Sequence, residues 1–345
     1  MFKFGVDSFI WTEVFSAEDL WIIPKAKELT FDEIERIADE AIAMDCMYAL
    51  LTGGEPLLRP DFEDIYVMLK KKGFMISLFT NATLITEKTV ELFKKYPPDV
   101  VEVSIYGVSE EVYEKVTRKK GTYKAMVRGL DLLLAAGIKT RLKAMVLKSN
   151  ICEIDEIAAF CRKHTVDYYR YDPLLSLRND LDEKRNETIK KERLSPEEII
   201  WVENKDKKRM DSLVSFCEKG FGKATVYQKG VDIPVLACGA GKESVVISAD
   251  GMLRACSALV KEELCYDIRK GSLDDAFYLF LPEMRQKTVV QNQIFFEKCG
   301  SCEYINLCHW CPAHAYVETG ALDKPIDFFC EVAHKRYENI KELQN

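Results

Sequence analysis

Short apolar runs alternate with amphipathic helical stretches from residue 48 to about residue 175, and no other feature of the sequence constrains the fold as strongly. This alternation is typical of parallel strands joined by crossover helices. The predicted strands are residues 3–11, 48–51, 74–79, 100–105, 138–147 and 168–171. Six βα units are fewer than the eight of a closed barrel. The pattern therefore predicts an α/β fold built on a partial (βα)6 TIM-like barrel.

Residues at the ends of the predicted elements support this interpretation. Thr30 and Glu33 have the spacing of a capping box, and they open a helix with a regular apolar face. The residues of that face are Ile34, Ile37, Ala38, Ala41 and Ile42. Gly73 and Gly137 stand where two helices should end and the next strands begin.

Charged residues of both signs dominate residues 176–212, which suggests a solvated connector. Ser195, Pro196 and Glu198 match the first positions of a capped helix that runs through Trp201, and we expect this helix to bridge two domains. The predicted domains are 1–175 (with an atypical first βα unit at 1–29), 176–235 and 236–345.

Composition excludes several kinds of partner. The net charge is -7, and the longest basic tract is the triplet 70–72, so neither nucleic acid nor an anionic membrane is an expected partner. Residues 1–11 lack the pattern of a signal peptide, and no apolar run approaches the length of a membrane span. We expect a cytoplasmic protein.

Cysteines are concentrated near the end of the chain. Eight of the twelve lie in the last 108 residues, and a reducing cytoplasm favours metal binding over disulfides. Cys238 and Cys256 flank residues 245–255, which Asp250-Gly251 marks as a β-hairpin. The others follow as Cys299-x2-Cys302-x5-Cys308-x2-Cys311 and then Cys330. Seven thiols are nearly two sets of four, as two cubane clusters require, although the four closely spaced cysteines could instead hold one zinc ion.

The whole cysteine string, with Cys311-Pro312-Ala313-His314-Ala315-Tyr316 and Glu318-Thr319-Gly320, resembles the SPASM domain of radical S-adenosylmethionine enzymes. This resemblance implies a small cysteine-rich α+β domain with two auxiliary [4Fe-4S] clusters. One would be held by Cys299, Cys302, Cys308 and Cys330. The other would be held by Cys238, Cys256 and Cys311. Its fourth iron is either open or bound by Cys265.

Polar residues and glycines follow successive strands of the predicted barrel. Thr52-Gly53-Gly54-Glu55-Pro56 follows the strand 48–51, at the rim where barrel active sites form. Asn81 follows the next strand, Ser104 ends the third, and Arg118 lies fourteen residues further on. Taken singly, these residues also suit a turn, a helix cap and a surface cation.

Together these rim residues, and residues 31–175 as a whole, resemble the S-adenosylmethionine site of radical enzymes. The resemblance implies that Glu55, on the Gly53-Gly54-Glu55-Pro56 turn, contacts the methionine amino group. It also implies that Asn81 and Ser104 line the pocket and that Arg118 pairs with the carboxylate.

The Cys-x3-Cys-x2-Cys loop of radical enzymes is missing from this sequence. Residues 1–45 contain no cysteine, and Cys46 precedes the second strand, at the opposite end of the barrel. Residues 2–29 instead resemble the first βα unit of xylose-isomerase-like sugar epimerases, which predicts a hybrid chain.

The expected function is therefore that of a radical S-adenosylmethionine and SPASM type iron–sulfur protein. The family role is radical modification of a peptide or protein side chain, with a flavodoxin or ferredoxin as electron donor. The radical cluster is not expected, so cofactor cleavage should be impaired. The alternatives are a non-catalytic, cluster-bearing scaffold that binds peptides and a sugar epimerase or isomerase.

Overall fold

The computed structural model of the protein describes residues 3–6, 27–165, 170–179, 181–220 and 232–344. The chain forms two compact units, and each contains two segments of sequence. The first unit is Met1–Asp172 with Gly239–Pro282, and the second is Pro173–Cys238 with Glu283–Asn345.

One sheet forms the centre of the first unit. Its strands are β1 (Lys3–Val6), β2 (Tyr48–Leu51), β3 (Met75–Thr80), β4 (Val100–Ile105), β5 (Thr140–Met145), β6 (Arg170–Asp172), β7 (Ser244–Ile247), β8 (Met252–Arg254) and β9 (Tyr266–Asp267). Their order is β6-β5-β4-β3-β2-β1-β7-β8-β9. All pairs from β6 through β1 to β7 are parallel. The predicted α/β fold with sequential parallel strands is confirmed.

Helices connect these strands and make up most of the second unit. They are α1 (Phe31–Ala43), α2 (Phe62–Lys71), α3 (Glu87–Lys95), α4 (Glu110–Thr117), α5 (Thr122–Ala135), α6 (Ile154–His164), α7 (Glu183–Glu192), α8 (Pro196–Asn204), α9 (Lys207–Gly220), α10 (Leu273–Asp275), α11 (Leu281–Lys287), α12 (Gln293–Lys298), α13 (Pro312–Thr319) and α14 (Asp327–Gln344). None of the helices in the described residues has the length and apolar character that crossing a bilayer requires.

Local signals predicted the strand ends to within a few residues. Of the predicted first strand, residues 3–6 form β1 and residues 7–11 lie outside the described residues. Gly73 and Gly137 have φ of 98° and 69°, so each ends its helix in the left-handed conformation that glycine adopts most easily.

The predicted helix face of α1 is correct except at one end. Ile34, Ile37, Ala38 and Ala41 are buried, whereas Ile42 is 38 % exposed. Ile42 lies in the last turn of the helix.

The hairpin around Asp250-Gly251 is present, and Gly251 adopts φ 84° at the turn. It belongs to the sheet of the first unit because β7 pairs in parallel with β1. The compact units thus differ from the predicted domains, which assigned this hairpin to a separate C-terminal domain.

Residues 176–212, which the sequence predicts to be a solvated connector, carry helices with both exposed and buried side chains. They form α7, α8 and the first part of α9 inside the second unit, and the side chains of Arg178 and Arg193 are buried there. Arg193 donates to the Leu175 carbonyl and pairs with Glu318, which accounts for its burial. The predicted bridging helix corresponds to α8, with its Ser195 cap, and it packs against α14 of the same unit. Trp201 on this helix is 50 % exposed.

The cap of α1 gives the first testable prediction. The Thr30 hydroxyl accepts from the Glu33 amide, and Glu33 accepts from the Thr30 amide, so two orphan donors of the helix are satisfied. Thr30→Ala should lower the free energy of unfolding by about 1 kcal/mol. Chemical denaturation measures this loss, and Thr30→Ser, which keeps the hydroxyl, is the control. Equal losses in both variants would contradict a role for the cap.

Candidate cofactor site and thiol cluster

The Glu55 carboxylate lies at the carboxyl ends of β2 and β3, within a set of hydrogen-bond donors. The Asn81 amide donates to Oε2 at 2.8 Å, and the Thr80 hydroxyl lies 2.8 and 2.9 Å from the two oxygens. The Leu57 amide donates to Oε1 at 3.3 Å, so Glu55 also caps the short 3-10 helix that starts at Pro56. Parallel pairing of β2 with β3 produces this meeting, because it aligns their carboxyl ends.

Burial controls the charge of Glu55. Only 7 % of the residue is exposed, and this burial raises the pKa of its carboxyl to about 7, against the lowering effect of its three donors. A carboxyl that titrates near neutral pH can accept an ammonium group as a carboxylate. It can also remain neutral when that group is absent.

The turn after β3 positions Asn81. Its side-chain oxygen accepts from the Thr83 amide at 2.9 Å and from the Thr83 hydroxyl at 2.6 Å, while Ala82 adopts φ 60°. The Asn81 oxygen therefore holds the turn, as the turn-residue alternative predicted. Its side chain occupies the predicted strand-end position.

Helix α5 presses against this turn at Gly129. A Cβ atom on Gly129 would overlap the Ala82 carbonyl oxygen far inside van der Waals contact. Arg128 donates to the Thr83 carbonyl at 3.2 Å. The glycine thus lets the helix backbone approach the segment that carries Asn81.

Ser104 lies on a partly exposed face of the sheet. It is directly opposite Lys143 of β5, and Glu102 of β4 is opposite Phe79 of β3. Lys143 lies 3.7 Å from the Glu102 carboxylate and 3.3 Å from the centre of the Phe79 ring. This face therefore carries an ion pair and a hydroxyl, whereas the opposite face of β3, β4 and β5 is buried and mostly apolar, with Thr80 and Thr140 as its polar residues.

Helix α4 and its C-terminal cap each contribute one residue to this region. Arg118 ends the helix with φ 50°, on the segment that leaves the carboxyl end of β4. Tyr113, which the sequence analysis did not single out, is fully buried with its hydroxyl unpaired. Burial raises the pKa of Tyr113, and the charge of Glu55 adds to this shift. Helical spacing indicates a buried face for Tyr113, but no local pattern relates it to Glu55.

Four cysteines of the second unit influence one another. Cys299 caps the C-terminus of α12, Cys308 follows the 3-10 helix Ile305–Leu307, and Cys330 lies in α14. Burial, together with the charges of Cys330, Cys308 and Cys302, raises the pKa of the Cys299 thiol to about 12. Burial likewise raises the pKa of Cys308 to about 11, with contributions from Cys330 and Cys302.

These thiols fit a positively charged metal centre by their chemistry. Thiols with raised pKa values stay protonated at neutral pH, and a metal cation binds them by replacing the protons. Within the described ranges, no three Cys, His, Asp or Glu side chains are placed to hold a metal ion. The four cysteines come together in one unit without being preformed around a single ion.

The second predicted set is divided between the units. Cys238 and Cys311 belong to the second unit, and the pKa of Cys311 is raised by burial and then by Cys238. Cys256 and Cys265 belong to the first unit, where the Cys265 thiol donates to the Lys261 carbonyl at 3.3 Å. The set formed by Cys238, Cys256 and Cys311 stays a prediction.

Comparison with known proteins finds similar sequences and similar folds. Residues 11–161 match the sequence profile of the radical SAM superfamily. The AdoMet-dependent heme synthase of Methanosarcina barkeri is 26 % identical over 318 residues, which are 86 % of this chain and 85 % of that protein. The subtilosin biosynthesis protein AlbA of Bacillus subtilis is 24 % identical and matches 82 % of this chain and 60 % of its own length.

Solved structures share the fold. Native anSMEcpe with bound AdoMet has a TM-score of 0.67 at 13 % identity, with 99 % of both chains covered. Streptococcus suis SuiB bound to S-adenosylmethionine has a TM-score of 0.63 at 16 % identity, with 95 % of this chain and 75 % of SuiB covered. Nothing in these comparisons supports the sugar epimerase resemblance of residues 2–29, and the superfamily match already begins at residue 11.

Replacement of Gly129 tests the contact between α5 and the Asn81 turn. Glycine to alanine normally stabilises a helix, but here the added methyl group collides with the Ala82 carbonyl. We expect Gly129→Ala to lower the free energy of unfolding by about 1–3 kcal/mol. Asp131→Ala, an exposed change in the same helix, should be neutral or stabilising. If Gly129→Ala raised the free energy of unfolding instead, the Asn81 turn would move away from the added methyl group without destabilising the fold.

The raised pKa of Glu55 predicts a pH-dependent stability. The folded-state pKa of about 7 lies above the ordinary 4.5, so this group's contribution is complete below pH 4.5 and is lost as pH rises through 7. As pH rises from 4.5 through 7, the free energy of unfolding of the wild type should fall by about 3 kcal/mol relative to that of Glu55→Gln, whose amide cannot ionise.

Denaturation of both proteins at a series of pH values measures this difference. Glu111→Gln, an exposed change in α4, is the control and should follow the wild-type profile. Parallel profiles for the wild type and Glu55→Gln would contradict the assignment.

Proposed function

We propose, from the radical SAM superfamily domain at residues 11–161, that the protein binds S-adenosylmethionine at Glu55 and holds iron–sulfur clusters through its C-terminal cysteines. The observation that carries this proposal is the buried Glu55 carboxylate at the carboxyl ends of the parallel strands. Its position suits recognition of an ammonium group, because a nearly water-free carboxylate gains strongly from a cationic partner.

The remaining predicted contacts fit the same ligand. Asn81 and Ser104 follow or end the neighbouring strands, and Arg118 supplies a cation beyond β4. Gly53 and Gly54 precede Glu55 and let a ligand approach the backbone closely. These residues would hold the amino-acid end of the cofactor, while Glu55 carries the compensating negative charge.

Cofactor cleavage is the step we expect to be impaired. In radical SAM chemistry a cluster held by three thiolates supplies the electron that splits S-adenosylmethionine. Residues 11–45 of the matched region contain no cysteine, and Cys46 alone cannot supply three thiolates. We therefore propose binding of the cofactor without efficient cleavage.

The C-terminal cysteines would hold two auxiliary [4Fe-4S] clusters in a SPASM-type arrangement. Cys302, Cys308 and Cys330 lie near enough to Cys299 to raise its pKa, and this proximity supports the first set. A small electron-transfer protein, such as a flavodoxin or ferredoxin, would reduce these clusters. The second set is Cys238, Cys256 and Cys311, with Cys265 as a candidate fourth ligand.

A peptide or small protein is the substrate that we propose. Streptococcus suis SuiB, whose fold this chain shares, is also known bound to the precursor peptide SuiA. AlbA, a relative of 24 % identity, takes part in the biosynthesis of the bacteriocin subtilosin. A non-catalytic scaffold that binds peptides would keep this recognition without the chemistry.

An iron porphyrin is a second candidate substrate. The relatives with matches over 86 % of this chain include AdoMet-dependent heme synthases from Methanosarcina barkeri and Oleidesulfovibrio alaskensis. An Fe-coproporphyrin III synthase is 27 % identical over 194 residues. Two binding measurements separate these substrates. A peptide substrate predicts that the protein selects binders from a displayed peptide library. A porphyrin substrate predicts that the protein changes the Soret band of iron coproporphyrin III.

Metal and product analysis tests the proposed function. After anaerobic reconstitution with iron and sulfide, we expect about eight irons per chain, S-adenosylmethionine binding, and little or no 5′-deoxyadenosine. Cys308→Ala should lose about four irons, whereas Cys152→Ala, an exposed cysteine outside both sets, should lose none. Zinc in place of iron, or rapid release of 5′-deoxyadenosine, would overturn the corresponding part of the proposal.

A further inference from the structure

A buried ion pair of the second unit contacts the segment that precedes Cys308. Arg336 of α14 is 2 % exposed and Glu203 of α8 is 1 % exposed. The guanidinium donates from Nε to Glu203 Oε2 at 2.9 Å and from Nη2 to Oε1 at 2.5 Å. This bidentate geometry fixes the orientation of the arginine side chain.

The third contact of Arg336 reaches the segment that carries a cysteine. Its Nη1 donates to the Leu307 carbonyl at 2.8 Å, and Leu307 is the residue before Cys308. The same helix supplies Cys330, six residues before Arg336. Helix α14 therefore carries Cys330 and, through Arg336, also binds the backbone next to Cys308.

Water screens the charges of Arg336 and Glu203 only weakly. Both side chains are excluded from water, so their fields act through a medium of low effective dielectric constant. Arg209 adds a second cation, because its Nη2 donates to Glu203 Oε1 at 3.0 Å.

We propose that Arg336 and Glu203 position Cys308 and set the reduction potential of the cluster held by Cys299, Cys302, Cys308 and Cys330. This inference rests on the proposed function, because it requires that cluster. Reduction adds one electron to the cluster from an external reductant, and no bond of the pair is made or broken. A nearby cation favours the reduced state and a nearby anion opposes it.

The pair therefore predicts shifts of opposite sign. Glu203→Gln leaves Arg336 uncompensated and should raise the reduction potential. Arg336→Gln removes the cation and should lower it. We expect each change to alter the ratio of reduced to oxidised cluster at a fixed potential about tenfold, which is about 59 mV for one electron.

Redox titration of the reconstituted full chain, followed by electron paramagnetic resonance, measures these shifts. Cys308→Ala identifies the signal of this cluster, because that variant should lose it. Arg336→Lys keeps the charge and should return the potential to near the wild-type value. If Arg336→Gln does not fold, Glu203→Gln combined with Arg336→Gln removes both charges, and it should bring the potential back from the Glu203→Gln value.

The neighbouring residue Lys335 provides a matched control. It lies in the same helix and pairs with Glu197 at 3.8 Å, but its side chain is 43 % exposed. Lys335→Gln removes the same charge one position away, and water and salt should screen its effect. Its potential should match that of the wild type.

The outcomes separate this inference from the proposed function. A wild-type chain that binds no iron at these cysteines would overturn both. A loaded chain overturns the inference alone if Glu203→Gln leaves the potential unchanged or lowers it. Equal shifts in Lys335→Gln and Arg336→Gln would likewise show that burial of the pair has no role.

Discussion

Backbone hydrogen bonds between β2 and β3 bring the candidate cofactor site together. Parallel pairing aligns the carboxyl ends of the two strands, so the Thr52 to Pro56 turn lies beside Thr80 and Asn81. Glu55 then accepts hydrogen bonds from residues that are 25 and 26 positions away in the chain. Its burial and its raised pKa both follow from this placement.

Helices determine how the strand ends are presented. Gly129 allows α5 to approach the turn after β3, and α4 places the Tyr113 hydroxyl in a buried position where the charge of Glu55 influences it. Ser104 and Lys143 lie opposite each other on β4 and β5, on a partly exposed face of the sheet.

In the second unit, helices rather than strands position the segments that carry the cysteines. Helix α14 contributes Cys330 and Arg336, and α8 contributes Glu203. A buried ion pair by itself adds little to stability, because desolvation offsets the attraction between its charges. Its contact with the Leu307 carbonyl gives the pair a positional role next to Cys308.

The sequence by itself determined the features that depend on neighbours a few positions apart. The alternation of strands and helices, the caps at Thr30 and Ser195, and the turn at Gly251 are all present, because hydrophobic period, capping and turn conformation are local properties. Only the tertiary structure decided that β7 joins β1, that Thr80 donates to Glu55, and that Arg336 binds Glu203 across 133 positions. It also decided that the charged residues 176–212 form helices with buried arginines, because charge composition does not reveal which cations find a partner. Contacts of this kind join segments that are distant in the chain, and no pattern within either segment encodes its partner.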